Sequence, residues 1–531
     1  MTTLSNFFFF FLHIFKLFFS FFFLLNPPSR HHWQITTTKM ETSNSISATI
    51  EDLPESILLH ILSFLPTTTA VQTSAVAPKW RNLWHSIPVL HFNIRKFHSC
   101  VPDRSAAAAR QLFAELISQT LLRRPRHSPL RKFRLKFDYR NYDSIRSYVN
   151  SWIRYAVSSR AVELDLTFGL YLSVKAEEDD DGETSADYCF DFSDLINSSV
   201  KVLKLRGCKF SLPRSRAFPI KIESLTALYL FGFDFGFVSM DMDVSKLVSL
   251  CVNLEFLCIE DVSGLNNLKI VSPKLKELKL SISRQTTLWD KSVEIFAPSL
   301  QSISFIWFYM GNYVLKDVSS LIEAHVEFDS REELEDFACW SNLVSLLSGV
   351  ENLTVQNMWM SRFMQMAELA SDNFEEVNKM LEVQFDAESE DNQEELHGKL
   401  EVFCLQLSVE EEVFSETFAF NNLRHLVLLT GYTEYDLLGL EAVLKACSTL
   451  ESMVLEYSYE TDFDDILGEE IMERPIVMHM PSLRLVKMEK YRGVKNEVYV
   501  VGLLKKYGLV LEKIVAFPAK VGEILSPPFV L

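Results

Sequence analysis

The side chains best suited to bind a metal or attack a carbonyl are spread thinly along these 531 residues. Eight cysteines, Cys100, Cys189, Cys208, Cys251, Cys258, Cys339, Cys404 and Cys447, form no C-x-x-C pair and no tight cluster. They read as reduced, mostly buried thiols of a chain kept in cytosol or nucleus. The twelve histidines are scattered apart from His31 and His32. The sequence holds no G-x-S-x-G turn, no phosphate-cradling G-x-x-x-x-G-K-[ST], no dinucleotide fingerprint and no H-E-x-x-H, and only 16 glycines to build such loops. Two acidic runs, AEEDDDGETSAD (Ala176 to Asp187) and AESEDNQEEL (Ala387 to Leu396), lack the glycine-punctuated spacing of a calcium loop and read as solvated loops. A net charge of −18 disfavours a nucleic-acid backbone as partner. No catalytic residue, cofactor or metal is expected, and the chain reads as a binding protein.

The apolar residues are organised in two ways. DLPESILLHILSFLP (Asp52 to Pro66) predicts a short helix too apolar for one wet side, started near Pro54 and stopped at Pro66. Thr68 or Thr69 can cap a second helix reaching Ala75 or Val76, and Pro78 suits the first turn of a third with Trp80, Leu83 and Trp84. Trp80 and Trp84 then share one helical face, which is either local core or a pair of docking anchors. Three helices this short do not bury their own apolar surface, so the first needs cover from the chain, from a partner, or from both.

From Leu130 one phrase returns: apolar, two free residues, apolar, one free, apolar. It opens at Leu130, Ala161, Val200, Leu225, Leu254, Leu275, Leu300, Leu321 and Val350, then at Leu400, Leu423, Leu450, Leu483 and Leu511. From Val200 to Val350 the intervals are 25, 29, 21, 25, 21 and 29 residues, in or near the period of about 20–29 that marks leucine-rich repeats. Each phrase predicts a short strand with alternate residues inward, and stacking of neighbours into a parallel-sheet solenoid buries what no single unit can. The stretch DLLGLEAVLKACSTL (Asp436 to Leu450) predicts a helix ahead of its strand. Residues 1–39 form a Phe-rich leader. Its Phe7 to Leu25 core is close to bilayer-spanning length but carries Lys16 near its middle. A gene-model extension ahead of a start at Met40 is the preferred reading, and a membrane anchor is the alternative.

Residues Asp52 to Asn93 resemble the F-box of plant proteins: the LPE opening, the I-L-S-F-L-P close of the first helix, and T-S…W-R-N-L-W in the third. They depart from that pattern at Thr69 and at Ala77-Pro78. Leu483 to Phe517, with its Y-R-G turn, L-L-K-K helix and closing L-E-K-I, resembles the FBD region of the same family. The resemblance implies an α/β chain: a three-helix F-box (47–92), a leucine-rich repeat solenoid with parallel strands (130–480) and a C-terminal FBD region (481–520). It also implies a substrate-recognition subunit of an SCF-type cullin ubiquitin ligase, in nucleus or cytoplasm. The F-box would dock a Skp-family adaptor, and through it the cullin, while the repeats would hold an unknown target protein. A membrane is a partner only if the leader is real.

The adaptor interface carried over is Leu53, Pro54, Ile57, Leu58, Ile61, Leu62, Leu65, Trp80, Leu83 and Trp84, some of which must be internal core. For the target, outward positions on the repeat strands nominate Arg206, Tyr229, Phe231, Glu260 and Ile306, with Lys204, Lys279 and Gln356 beside them. Tyr229 and Phe231 lead, because adjacent outward aromatics are costly without a use. The competing readings are a small-molecule sensor, a membrane-tethered scaffold, and an F-box relic that no longer binds the adaptor.

Overall fold

The structure, a computed structural model, describes residues 53–73, 78–99, 105–125, 128–139, 145–169, 188–213, 220–232, 241–262, 267–282, 292–308, 312–328, 343, 346–356, 420–432, 434–457, 477–519 and 528–531. The leader, both acidic runs, the phrase at Leu400, and Ala75 to Ala77 lie outside these residues. Two compact units divide the chain, Met1–Leu53 and Pro54–Leu531. Within the first, Leu53 is the described residue, and it is half-buried. Among the described residues no helix is long and apolar enough to cross a membrane.

The second unit begins with α1 (Glu55–Ser63) and α2 (Thr67–Gln72), each started by a proline. The Pro54 carbonyl accepts from Ile57 N and Leu58 N, and the Pro66 carbonyl from Ala70 N. Proline serves here because a helix start leaves its own N–H unused and its φ is already near helical. Neither Thr68 nor Thr69 caps α2; the helix starts one residue earlier, at Thr67. The hydroxyl of Thr67 instead accepts from His91 N at 2.7 Å. The third segment is two 3-10 turns, Pro78–Trp80 and Leu83–Ser86, rather than one α-helix.

Fifteen strands then form one sheet. Its members are β1 (Val89–Asn93), β2 (Lys132–Lys136), β3 (Glu163–Thr167), β5 (Val202–Arg206), β7 (Ala227–Phe231), β8 (Phe256–Val262) and β10 (Glu277–Ile282). It continues through β12 (Ser302–Phe308), β14 (Glu323–Phe328), β15 (Asn352–Gln356), β16 (His425–Thr430), β17 (Ser452–Tyr457), β18 (Leu485–Tyr491), β19 (Lys513–Pro518) and β20 (Phe529–Val530). All neighbours pair parallel except the closing antiparallel β20. Two small parallel sheets accompany it: β4 (Cys189–Asp191) with β6 (Lys209–Ser211), and β9 (Asn267–Val271), β11 (Ser292–Phe296) and β13 (Asn312–Lys316).

Thirteen of the fourteen sequence phrases lie on described residues, and each opens two residues before its strand. Inward residues such as Leu203, Leu205, Leu228 and Leu230 are buried. A ladder of shared carbonyls holds the stack in register. Val162 O accepts from Lys201 N and Val202 N, Lys201 O from Thr226 N and Ala227 N, and Thr226 O from Glu255 N and Phe256 N. The same two-donor pattern recurs to Arg484 O, which takes Glu512 N and Lys513 N. The helices on the connections are α3 (Ile94–His98), α4 (Ala106–Arg123), α5 (Ile145–Ser158), α6 (Asp241–Leu250), α7 (Glu434–Ala446) and α8 (Lys495–Tyr507).

The sheet starts earlier than the repeat phrases do. VLHFN, inside the F-box-like stretch, is β1, with Leu90 and Phe92 fully buried against the repeat core. The helical segment and the sheet are therefore one packed body within the second unit. Arg124, buried at the end of α4, adds a second tie by donating to Ile87 O at 2.9 Å and Ser128 Oγ at 3.1 Å.

Two predictions arise from these joints. His91 Nε2 is buried without a partner. Burial first, then the charges of Arg134, Lys96 and Lys136, lower its pKa to about 4. The unfolded imidazole titrates near 6.5 and takes up a proton that the folded one refuses. Stability is thus full above pH 6.5 and falls as pH drops toward about 4. Urea midpoints across that window should fall less in His91→Phe than in the unmodified chain; parallel curves would remove His91 as the cause. At the exit of β5, Gly207 has φ +61, and a Cβ there would lie 2.5 Å from Phe168 O. Both the left-handed backbone and a contact with backbone atoms oppose a side chain. Gly207→Ala should lower unfolding free energy by at least about 2 kcal/mol, read from denaturant midpoints.

Candidate functional site

Two surfaces carry the candidate residues. The first is α1. Leu58 and Leu62, four apart, face inward at 0% exposure, while Ile57 is 44% and Phe64 74% exposed. Ile57, Ile61 and Phe64 follow helical spacing along one side, with Pro54 exposed and Ile61 and Leu65 half-buried. His60 meets Phe64 edge-on, with ring centroids 4.9 Å apart. Of the nominated interface, Leu58, Leu62, Trp80, Leu83 and Trp84 belong to the chain's own core. The tryptophans are internal because 3-10 turns do not present residues four apart on one outer face; Trp84 stacks on His85 instead. Phe64, the C-cap of α1, is absent from that interface and yet is more exposed than Ile57.

The second surface is the sheet face opposite the core. Parallel pairing places Lys204, Tyr229, Cys258 and Lys279 in one lateral row, and Arg206, Phe231, Glu260 and Ser281 in the next. Tyr229 and Phe231 stack at 5.9 Å, and Tyr229 meets Phe256 at 4.6 Å. Lys204 Nζ lies 4.4 Å from the Tyr229 ring centroid, Arg206 Cζ 4.4 Å from that of Phe231, and Lys279 Nζ 5.8 Å from that of Phe256. Three rings thus sit between cations from strands on both sides, each cation over a negative ring face.

The charges around this patch are mostly committed. Lys279 is held by Glu277 at 3.0 Å, a hydrogen bond that raises its pKa. Cys258 donates to Glu260 Oε1 at 3.0 Å; burial, then that bond, push its thiol pKa well up, so it is no nucleophile. Burial also raises the Tyr229 hydroxyl. Ile306 lies further along the same face and is half-buried, next to Glu327 in register. Gln356, expected outward, is 4% exposed. Glu260 and Ile306 do not join the aromatic cluster. Phe256, which does, escaped nomination because its approach to Tyr229 depends on lateral register. Among the described residues no group of histidine, cysteine and carboxylates is placed to hold a metal ion.

At the far end, β18, α8 and β19 continue the sheet through residues 485–518. Their turn is organised by Glu497, which is 0% exposed. Its Oε2 accepts from Arg492 N at 3.0 Å, Gly493 N at 2.6 Å and Val494 N at 3.1 Å. The preceding helical connection repeats the device, with buried Asp436 accepting from Gly431 N at 2.9 Å. Asn496 Nδ2 links the two turns by donating to Tyr432 O at 2.9 Å.

Comparison with known proteins places both surfaces in matched domains. Residues 50–92 match the family described as F-box domain, and residues 122–385 match that described as At1g61320/AtMIF1, LRR domain. Among curated proteins of Arabidopsis thaliana, the chain is similar to "FBD-associated F-box protein At1g66310", 26% identical over 322 residues. That match covers 58% of this chain and 64% of the relative, less than two thirds of its length. "F-box/LRR-repeat protein At4g14103" is 28% identical over 281 residues, 52% of this chain and 67% of the relative. "Putative F-box/FBD/LRR-repeat protein At5g44950" is 25% identical over 479 residues, 87% of this chain and 91% of the relative.

Proposed function

We propose that this chain, a member of the plant F-box/LRR-repeat family, is the target-recognition subunit of an SCF-type cullin ubiquitin ligase in nucleus or cytoplasm. One observation carries the reading. Among the described residues, the helix in the F-box match and its ends leave Pro54, Ile57 and Phe64 exposed and Ile61 and Leu65 half-buried, while Leu58 and Leu62 fill the core. A soluble helix does not keep a second apolar stripe wet without a partner for it. A Skp-family adaptor is that partner in this proposal.

The fold supports a receptor role as well. Thr67 to His91 and Arg124 to Ile87 fix the F-box-like helices to the first strand of the sheet. A target held on the sheet face would then keep a set position relative to the docked adaptor, as transfer of ubiquitin by other subunits requires. The three-helix form of the F-box, with its third helix wound as 3-10 turns, and the assignment of residues 481–520 as an FBD region belong to this proposal. The chain itself supplies binding and geometry, and the chemistry lies with its partners. Co-precipitation of the full chain with a Skp-family adaptor and a cullin tests the reading. Capture of both supports it. Failure to capture the adaptor, with the chain folded by circular dichroism, overturns it.

A further inference from the structure

We infer that the open face of β5, β7 and β8 binds an acidic peptide segment of the target protein. A peptide carboxylate meets Lys204 and Arg206, and an aromatic or large apolar side chain two residues on lies over Tyr229 and Phe256. This rests on the proposed reading of the sheet face as the target-binding surface, and it names the class of target.

Two cations on this face have no carboxylate partner among the described residues. Four cations on or beside neighbouring strands are matched by carboxylates: Lys132 with Glu163, Arg134 with Asp165, Lys276 with Glu255 and Lys279 with Glu277. Among the described residues Lys204 and Arg206 form no such pair, and each lies instead over an aromatic ring. Both rings are half-buried, and a charge-assisted hydrogen bond to a carboxylate is stronger than a cation's contact with a ring face. Both cations can therefore turn to an incoming carboxylate while the rings stay in place. The flanking acids compete little: Asp165 is taken by Arg134, and Glu260 lies two strands from Arg206, beyond Phe231. The whole chain carries −18, but the Debye length at physiological salt is about 8 Å, so remote acids are screened and the local pair decides.

Spacing sets the motif. Adjacent strands lie about 4.8 Å apart, so the boundary between Tyr229 on β7 and Phe256 on β8 is about 7 Å from β5. In an extended peptide, residues i and i+2 point the same way and lie about 6.6 Å apart. An acid-x-aromatic peptide crossing the strands therefore places its carboxylate at Lys204 and Arg206 and its ring between Tyr229 and Phe256.

The test uses the full chain and two fluorescein-labelled peptides, one of repeating Glu-Gly-Phe-Gly and one with glutamine for every glutamate. Fluorescence anisotropy should show the glutamate peptide bound at least about tenfold more tightly, a difference of about 1.4 kcal/mol. Lys204→Met with Arg206→Met keeps the side-chain stems on the rings and should abolish the difference; a thermal melt checks that this chain is folded. Tyr229→Ala with Phe231→Ala should weaken both peptides. Equal affinity for the two peptides, no binding of the glutamate peptide, or discrimination that survives the methionine variant overturns the inference. Adaptor capture measured on the same samples separates the two proposals. Adaptor bound without peptide discrimination removes this inference alone, and discrimination without adaptor removes the ligase reading alone.

Discussion

A chain carrying Ile57→Glu and Phe64→Lys is expected to lose a Skp-family adaptor by at least about 100-fold while unfolding at nearly the same denaturant concentration. Burying an aliphatic or aromatic side chain in an interface is worth about 1.5–3 kcal/mol. Two such losses exceed the 2.8 kcal/mol or so that a hundredfold change requires, before the cost of desolvating two unpaired charges. Stability is spared because the two side chains are 44% and 74% exposed and surface changes away from special features cost within about 0.5 kcal/mol. The charges are chosen for the helix ends they occupy. Glutamate lies in the first turn of α1 and lysine at its C-cap, where each agrees with the helix dipole. Leu62→Ala is the contrasting case. It lies in the core at 0% exposure and should cost about 2–5 kcal/mol of stability. Adaptor capture unchanged by Ile57→Glu with Phe64→Lys would mean the exposed stripe is not the docking surface.

The repeat strands were legible because burial on one face imposes a period of two, and Leu203 with Leu205 or Leu228 with Leu230 expresses it directly. β1 was not, because VLHFN follows a run of helical signals and its partner β2 lies beyond α3 and α4. The short strands β4 and β6 carry three residues each, too few for a pattern. In α1 the sequence names the apolar residues but does not sort them. Ile57 and Leu58 are alike in hydrophobicity, and only the cover supplied by the 3-10 turns makes one exposed and the other core. On the sheet face, alternation correctly put Lys204, Arg206, Tyr229 and Phe231 on one side. The role of Phe256, and the approach of Lys279 to its ring, were hidden because they depend on which residue of the next strand lies alongside. Composition gave no sign of Glu497, since a buried carboxylate in a turn reads like any exposed glutamate on a helix.

Glu497→Leu is expected to be the most damaging single change in the C-terminal strand–helix–strand unit, by about 3–6 kcal/mol. The carboxylate oxygen Oε2 serves three backbone amides at once, those of Arg492, Gly493 and Val494. Leucine fills the volume and offers no acceptor, so three part-buried, charge-assisted hydrogen bonds are lost, each worth about 1.5–3 kcal/mol. Hydrophobic gain from the leucine offsets part of this, because the site is fully enclosed. Charge adds to the hydrogen bonding. Glu497 lies in the first turn of α8, where the helix dipole favours an anion. Gly493, with φ +74, supplies the left-handed bend that aims all three amides at one oxygen. Glu497→Gln separates the two contributions. It keeps an acceptor but loses the charge, so it should cost about 1–2 kcal/mol, well short of leucine. Because the Asn496 amide ties this turn to Tyr432, loosening should spread into the turn after β16. Hydrogen exchange should then rise at Gly431 as well as at Gly493. Exchange confined to the mutated turn, or a leucine variant as stable as the glutamine one, would show that the carboxylate is not what organises this end of the sheet.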